Sequence, residues 1–411
     1  MKMQVLEEQS RKSEKATVAF DVGQEKLNMY LACELNGKLC SLEDEFVNHS
    51  AEIRRKLTNI MVFARTKLQK ELCVVCEPTG GYEKKLLKIA EELGLERAYV
   101  NGEAVCKLKI MENNSSGKSD IKDPRVILMV HDCGKRFLVR DFNSFYNRLR
   151  QLNEIYNHVR DNKKVAKCRL HHIIKKLFCD LSFKSDFFYQ KTGRALIEIF
   201  NMNPQKILFV GRKRFEKRMR KAVPRIRAKT LERLWNDAKV SESSAWDPSE
   251  REIIVHELAI TWEEFLLFEK NKEIIRERIV TTYRNLRLFD NSIPSSFHQI
   301  ISEFSMGRML GETGPLDDFK SHRQLLKYAG LNIREKQSGK FTGKNRIDKK
   351  GRSRLRNILH MATLPLIANG KAFAKEYKLK KERMEAGKAQ VALTRKLLKI
   401  IHGLNKNKYG F

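Results

Sequence analysis

The chain has 411 residues, 41% of them hydrophobic and 32% charged, with a formal net charge of +32. That length exceeds one ordinary core and calls for two or three domains. The composition excludes a disordered chain, and no apolar run reaches the roughly 20 residues of a bilayer span. A surface this positive repels itself and points to a polyanionic partner, nucleic acid first.

The charge is uneven. Residues 1–140 hold 24 Lys and Arg against 21 Asp and Glu, whereas residues 321–411 hold 24 against 5. A nearly neutral front and a strongly basic tail suit an enzyme that both cuts and grips nucleic acid. Met1–Lys15 is polar and charged and lacks the apolar stretch of a signal peptide.

Taken in order, Thr17–Gly23 reads as a strand ending in Asp-x-Gly, Lys26–Leu35 as a second, and Lys38–Phe46 as a third after an Asn36-Gly37 turn. Ser50–Leu68 has helical apolar spacing at Ile53, Leu57, Ile60, Phe63 and Leu68. Leu72–Glu77 reads as a buried strand closing in a carboxylate, followed by a Pro78-Thr79-Gly80-Gly81 turn and a helix over Tyr82–Leu93. Ala98–Val100 is a short strand and Glu103–Glu112 a helix. The order β-β-β-α-β-α-β-α is that of an α/β domain.

Eight cysteines all precede residue 180. Cys73 and Cys76, the one Cys-x-x-Cys, lie on a strand, where i and i+3 face opposite ways. That spacing is wrong for a shared zinc. Buried free thiols of a reducing cytoplasm are the expectation, and Cys168 with His171 and His172 lacks a fourth ligand nearby.

The acids carry the chemistry. Asp21 ends the first strand, Glu77 the fourth, and Asp120 and Asp123 sit three apart, so one helical turn would face them the same way. A lone Asp-x-x-Asp is ordinarily a solvated turn. Four acids on three elements converge, however, if the first and fourth strands are parallel neighbours, because such sheets place ligand sites at strand C-terminal ends. Crowded carboxylates need a cation, and hard oxygens suit Mg²⁺, with Mn²⁺ as the alternative. Two-metal phosphoryl transfer uses such a site.

Phe20-Asp21-Val22-Gly23, Glu77-Pro78-Thr79-Gly80-Gly81-Tyr82 and Lys118-Ser119-Asp120-Ile121-Lys122-Asp123 together resemble the DEDD signature of the RuvC-like, RNase H-fold domain of the insertion-sequence one-ten family of transposases, to which Piv-type invertases are related. Pro78, Ser119 and Pro124 depart from the usual pattern, and no acid is lost. Proline at the opening of a helix is well tolerated.

Residues 141–180 read as a long helix with Phe142, Phe145, Leu149, Leu152, Tyr156 and Val159 on one seam, a coiled-coil arm. Phe187–Lys239 reads as three short helices broken at Asn203-Pro204, Gly211 and Pro224. Its cation-rich Arg212–Arg227 suits a nucleic-acid face or a solvated one equally. After a polar break at Ser241–Pro248, Glu250–Leu288 is a second long helix near a heptad seam. Beyond Ile293-Pro294 a mostly α-helical region begins. The expected domains are therefore 1–140 (DEDD), 141–290 (helical, coiled-coil) and 291–411 (C-terminal, basic tail).

Tyr328-Ala329-Gly330-Leu331, Ser338-Gly339 and Lys349-Lys350-Gly351-Arg352-Ser353-Arg354-Leu355-Arg356 resemble the C-terminal transposase domain of the same family. The resemblance implies that Ser338 is a nucleophile. Cations Lys118, Arg125, Lys336, Lys340, Lys344, Arg346, Lys349, Lys350, Arg352, Arg354 and Arg356 are the expected phosphate contacts. A hydroxyl needs an activating base or metal. None is adjacent in the sequence, so the acid cluster, in the same or another chain, is the expected activator. A P-loop at Gly339–Asn345 fails on spacing and on the missing Ser/Thr.

The expectation is a prokaryotic, cytoplasmic DNA transposase, or recombinase, joining strands through a covalent phosphoserine. The resemblance implies guidance by a bridge-type RNA. Strand exchange implies a homo-oligomer, dimer or tetramer, with no membrane role. The nearest alternative is a RuvC-like, metal-dependent nuclease or junction resolvase that uses water. An actin-like nucleotide module would need a second Asp-x-Gly loop, and a non-catalytic nucleic-acid binder would leave the acids incidental.

Overall fold

This computed structural model describes residues 2–5, 15–113, 123–140, 143–242, 247–291, 293–334, 337–338, 341–342 and 346–407. The chain divides into two compact units, Met1–Asp141 and Phe142–Phe411.

The first unit is built on a sheet of β1 (Lys2–Val5), β2 (Lys15–Val22), β3 (Lys26–Leu35), β4 (Lys38–Val47), β5 (Glu71–Cys76), β6 (Glu96–Val100) and β7 (Arg136–Leu138). The spatial order is β1-β4-β3-β2-β5-β6-β7. β2, β3 and β4 form an antiparallel meander, with Asn36 and Gly37 at positive φ in the β3–β4 turn. β2, β5 and β6 pair in parallel, and β7 returns antiparallel. The first and fourth expected strands are thus neighbours, Phe20 opposite Cys76. The short, charged edge strands β1 and β7 carry too little alternation to read from the sequence.

Helices α1 (Ser50–Phe63), α2 (Glu83–Glu92), α3 (Gly102–Asn113) and α4 (Asp123–Asp132) cover the sheet. Ile53, Leu57, Ile60 and Leu86 pack with Val18, Phe20, Val74 and Cys76 on one face. Val105, Val126, Ile127 and Val130 pack with Ala19, Cys73, Val75 and Ala98 on the other. Cys73 and Cys76 therefore do lie on opposite faces. All eight cysteines are free, but only Cys33, Cys40, Cys73 and Cys76 are buried; Cys106, Cys133, Cys168 and Cys179 are exposed. The expectation of buried thiols holds for strand positions and fails for helical and loop ones.

The second unit hangs on two long helices, α5 (Ser144–Leu177) and, later in the chain, α10 (Pro248–Phe289). They run antiparallel. The Tyr146 hydroxyl donates to Asp290, Lys163 pairs with Glu269 at 2.9 Å, and Arg169 with Glu264 at 3.2 Å. Between them lie four helices, not the three expected: α6 (Lys191–Phe200), α7 (Pro204–Val210), α8 (Arg212–Ala222) and α9 (Ala228–Glu242). Each expected break is real, and three breaks divide four helices. This group has its own core with the C-terminal half of α5 and the N-terminal half of α10, around Leu196, Phe200, Phe215, Leu234 and Phe265.

The other halves of α5 and α10 share a second core with α11 (Glu303–Thr313), α12 (His322–Ala329), α13 (Ser353–Ile367), α14 (Ala374–Arg383) and α15 (Ala386–Lys406). Arg308 is buried there. Its guanidinium donates to Asn153 and Asn157 and stacks over Tyr156, and burial lowers its pKa to about 10. Four two-residue strands lie between α12 and α13: β8 (Ile333–Arg334), β9 (Gln337–Ser338), β10 (Phe341–Thr342) and β11 (Arg346–Ile347). Among the described residues no helix is long and apolar enough to cross a membrane.

Candidate active site

In a strand alternate residues share a face. Ala19 and Val75 face the layer of α3 and α4, so Asp21 and Glu77, two positions further along adjacent parallel strands, continue toward the same layer. Asp123 opens α4 in that layer, where an acid also suits the helix N-terminus. Three of the four expected acids therefore lie at one end of the sheet. Burial pushes the Glu77 carboxyl pKa up, Lys109 pulls it down, and the charges of Asp21 and Asp123 push it up again. Asp120 and Lys118 lie outside the described residues.

Lys109, on α3, forms an ion pair with Asp123. It supplies a fixed positive charge among the acids. Among the described residues no three His, Cys, Asp or Glu side chains gather closely enough to hold a metal ion by themselves. The donor set still suits a hard divalent cation: oxygen ligands only, crowded, with one carboxyl already disfavoured as an anion.

Three supporting residues escape a sequence reading. Gly102 begins α3, and a Cβ there would lie 2.1 Å from Glu77 Oε1. The carboxylate thus rests directly on the first turn of a helix, where backbone N–H groups favour it. Glu83 is buried, and its Oε2 accepts from Thr79 N, Thr79 Oγ1 and Gly81 N at 2.8–3.3 Å. That ties down the turn after Glu77, in which Gly80 and Gly81 take positive φ. Lys109 is the third. Only its i+4 neighbourhood on α3 is legible from the sequence, and α3 meets α4 only in the fold.

The second expected catalytic residue, Ser338, sits on a hairpin. β8 pairs with β11 at its root, and β9 pairs with β10 beyond it, Ser338 opposite Phe341. Only Gly339 and Lys340 separate those paired positions in the sequence. A strand end replaces the plain loop expected here. Lys336, Lys340 and Lys344 lie outside the described residues.

The hairpin root is locked. The Tyr328 carbonyl accepts from Arg352 N at 2.9 Å, and the Gly330 carbonyl from Lys349 N at 3.1 Å. Gly351, at φ +147°, leaves no room for a side chain, since a Cβ would lie 2.6 Å from Gly330 N and from the Tyr328 carbonyl oxygen. The two motifs, Tyr328–Leu331 and Lys349–Arg356, are therefore two halves of one structural knot. Arg356 donates to the Ala329 and Gly351 carbonyls. Arg352 pairs at 3.3 Å with Glu312, whose side chain is 1% exposed, and Arg354 pairs with Glu154. These three expected phosphate contacts are engaged within the protein. Arg346, Lys349 and Lys350 are exposed beside them, and Arg125 is exposed on α4.

The sheet order, with acids at the ends of β2 and β5 and at the start of α4, is that expected of a RuvC-like DEDD domain. A family model for the DEDD transposase domain, described as Transposase, matches residues 18–179, and one described as Transposase IS116/IS110/IS902 family matches residues 300–378. The chain belongs to the IS110 family of transposases. No curated protein matches it.

Proposed function

We propose that this DNA transposase cuts and rejoins strands through a covalent phosphoserine, using Asp21, Glu77, Asp120 and Asp123 together with Ser338. The observation that carries the reading is the parallel pairing of β2 with β5, which sets Asp21 and Glu77 at one end of the sheet, with Asp123 at the start of α4 in the layer they face. The acids would hold Mg²⁺ or Mn²⁺, which when bound supplies charge neutralisation at the scissile phosphate. The Ser338 hydroxyl attacks phosphorus. A serine–phosphate bond forms, the phosphorus–3′-oxygen bond breaks, and the serine proton leaves as the 3′-oxygen takes one up. A 3′-hydroxyl of another strand then attacks the phosphoserine and releases the serine. One phosphodiester replaces another, so joining needs no nucleotide triphosphate.

Exposed Arg346, Lys349 and Lys350 would hold backbone phosphates, as would Arg125 and the undescribed Lys118, Lys336, Lys340 and Lys344. A bridge-type RNA fits the same basic surface, leaving sequence choice to base pairing. Exchange between two duplexes calls for an oligomer. On α10, Ile253, Ile260, Leu267 and Ile274 recur every seven residues and are 38–71% exposed. The neighbouring Glu252, Glu257 and Glu263 precede Lys270 and Arg278 along the same helix. An antiparallel second copy would set acidic half against basic half, giving a dimer or, by pairing of dimers, a tetramer.

Incubation with supercoiled donor DNA and Mg²⁺, followed by denaturation, tests the chemistry. A protein–DNA adduct that vanishes in Ser338→Ala is the expected result. Cleavage that persists in Ser338→Ala without any adduct would mean water is the nucleophile, the resolvase reading.

A further inference from the structure

The strongest unexplained surface lies in the four-helix group, which falls between the two family matches and is reached by neither. Helix α8 carries seven Lys and Arg in eleven residues and one acid, Glu216. It buries Phe215 and Met219, and all seven cations are exposed. Lys213, Lys217 and Lys221 form a row at i, i+4 and i+8, about 6 Å apart along the axis, on the side away from the buried pair. Arg212 engages Glu216 at 3.0 Å. Among the described residues none of the three lysines of the row makes an ion pair. Like charges four apart on a helix cost a few tenths of a kcal/mol per pair. The row is therefore a local cost to the helix, one that an anion with matching repeat relieves.

A second observation stands beside it. Phe209, near the end of α7, is 93% exposed. Gly211, at φ +80°, turns the chain directly from α7 into α8. Lys213 lies four positions beyond Phe209, at most about 14 Å of chain. An aromatic ring bared next to a cationic row is the pairing by which proteins hold nucleic-acid strands, cations on phosphates and a ring on a base.

We infer that α8 is a nucleic-acid-binding element separate from the catalytic groups, its lysine row on the phosphates of one strand and Phe209 stacked on an unpaired base of that strand. The rest of the four-helix core, around Leu196, Phe200 and Leu234, is the scaffold that holds it. The inference does not depend on Ser338, and Ser338→Ala protein would bind in the same way.

The test is equilibrium binding of the full chain to three probes: a single-stranded DNA, a fully paired DNA duplex and an RNA hairpin with single-stranded flanks. Each is measured across a range of salt. Lys213→Ala/Lys217→Ala/Lys221→Ala should make the negative slope of log affinity against log salt shallower by about 2–3 on at least one probe, at about 0.7–0.9 per lost phosphate contact. Alanine is the better helix former at these exposed positions, and unchanged circular dichroism would confirm an intact fold. If the triple variant fails to fold, the Lys→Gln triple serves in its place. Phe209→Ala should weaken the probes with unpaired bases about tenfold and leave the duplex alone. Which probe responds tells a DNA strand from an RNA strand. Unchanged slopes on all three would overturn the phosphate contacts, and a Phe209 variant that binds the unpaired probes as tightly as the parent, or loses the same affinity on the duplex, would overturn the stacking.

Discussion

The Glu77 carboxylate occupies the space in which a side chain at Gly102 would begin, with Oε1 2.1 Å from the Cβ that glycine lacks. The end of β5 and the start of α3 are thereby fitted to each other, and the position of one acid depends on the absence of an atom elsewhere.

Gly102→Ala should therefore damage catalysis more than stability. Alanine favours a helix over glycine by about 1 kcal/mol, so α3 itself gains. Displacing a reacting group by about 1 Å costs on the order of 10²-fold in rate. The expected result is a loss of that order in strand cleavage with a thermal midpoint within a few degrees of the parent. Parental cleavage rates would show that Glu77 is not held by this contact.

Lys109 pairs with Asp123 among the acids. Lys109→Met keeps the side-chain length and removes the charge, leaving a more negative pocket. The divalent-ion concentration for half-maximal cleavage should fall several-fold. A midpoint that rises would instead make Lys109 a contact to the DNA.

Arg352 is the partner of a carboxylate that is almost wholly buried, and Glu312 Oε1 has no hydrogen bond of its own. Removing one member of a fully buried pair costs about 3–5 kcal/mol, and less here because Arg352 is 39% exposed. Arg352→Ala should lower the denaturation midpoint sharply, and adding Glu312→Gln should restore part of the loss. Lys349→Ala/Lys350→Ala should leave stability alone and reduce DNA affinity. Chemical denaturation and salt-dependent binding separate the two effects.

Glu269 accepts from Lys163 at 2.9 Å and from Arg194 at 2.8 Å, joining α10 to α5 and α6. Burial opposes its charge, but the two cations prevail and hold its pKa below the ordinary glutamate value. A depressed carboxylate pKa gives stability that is complete above the unfolded value, about 4.3, and is lost as pH falls through the folded one. Glu269→Gln should be less stable than the parent at neutral pH by about 1 kcal/mol, with the difference closing below pH about 4. A constant gap from neutral to acid would mean that the loss is one of packing.

Much of the first unit was legible because alternation and turn chemistry act locally. The limits of β3 and the Asn36-Gly37 turn follow from neighbouring residues alone. The parallel pairing of β2 with β5 could be posed as a condition, and the fold meets it. What stayed hidden arises between distant segments. Gly102 looks like any helix-opening glycine until Glu77 is set against it. Glu83 looks like a surface acid until three donors of the preceding turn close on it. Arg352, Arg354 and Arg356 looked like a basic patch, because charge is visible in a sequence and a buried partner such as Glu312 is not. The fourth short helix was missed although its boundaries were read, because Gly211 alone separates α7 from α8.

The knot around Gly330 and Gly351 has a consequence for experiment. The root of the hairpin is fixed by main-chain bonds and by two glycines, so its outer rungs contribute little to the folding of the unit below them. Mutagenesis at the outer end of this arm can therefore report on reactivity with the scaffold unchanged, whereas the same experiment one rung above the knot would confuse the two.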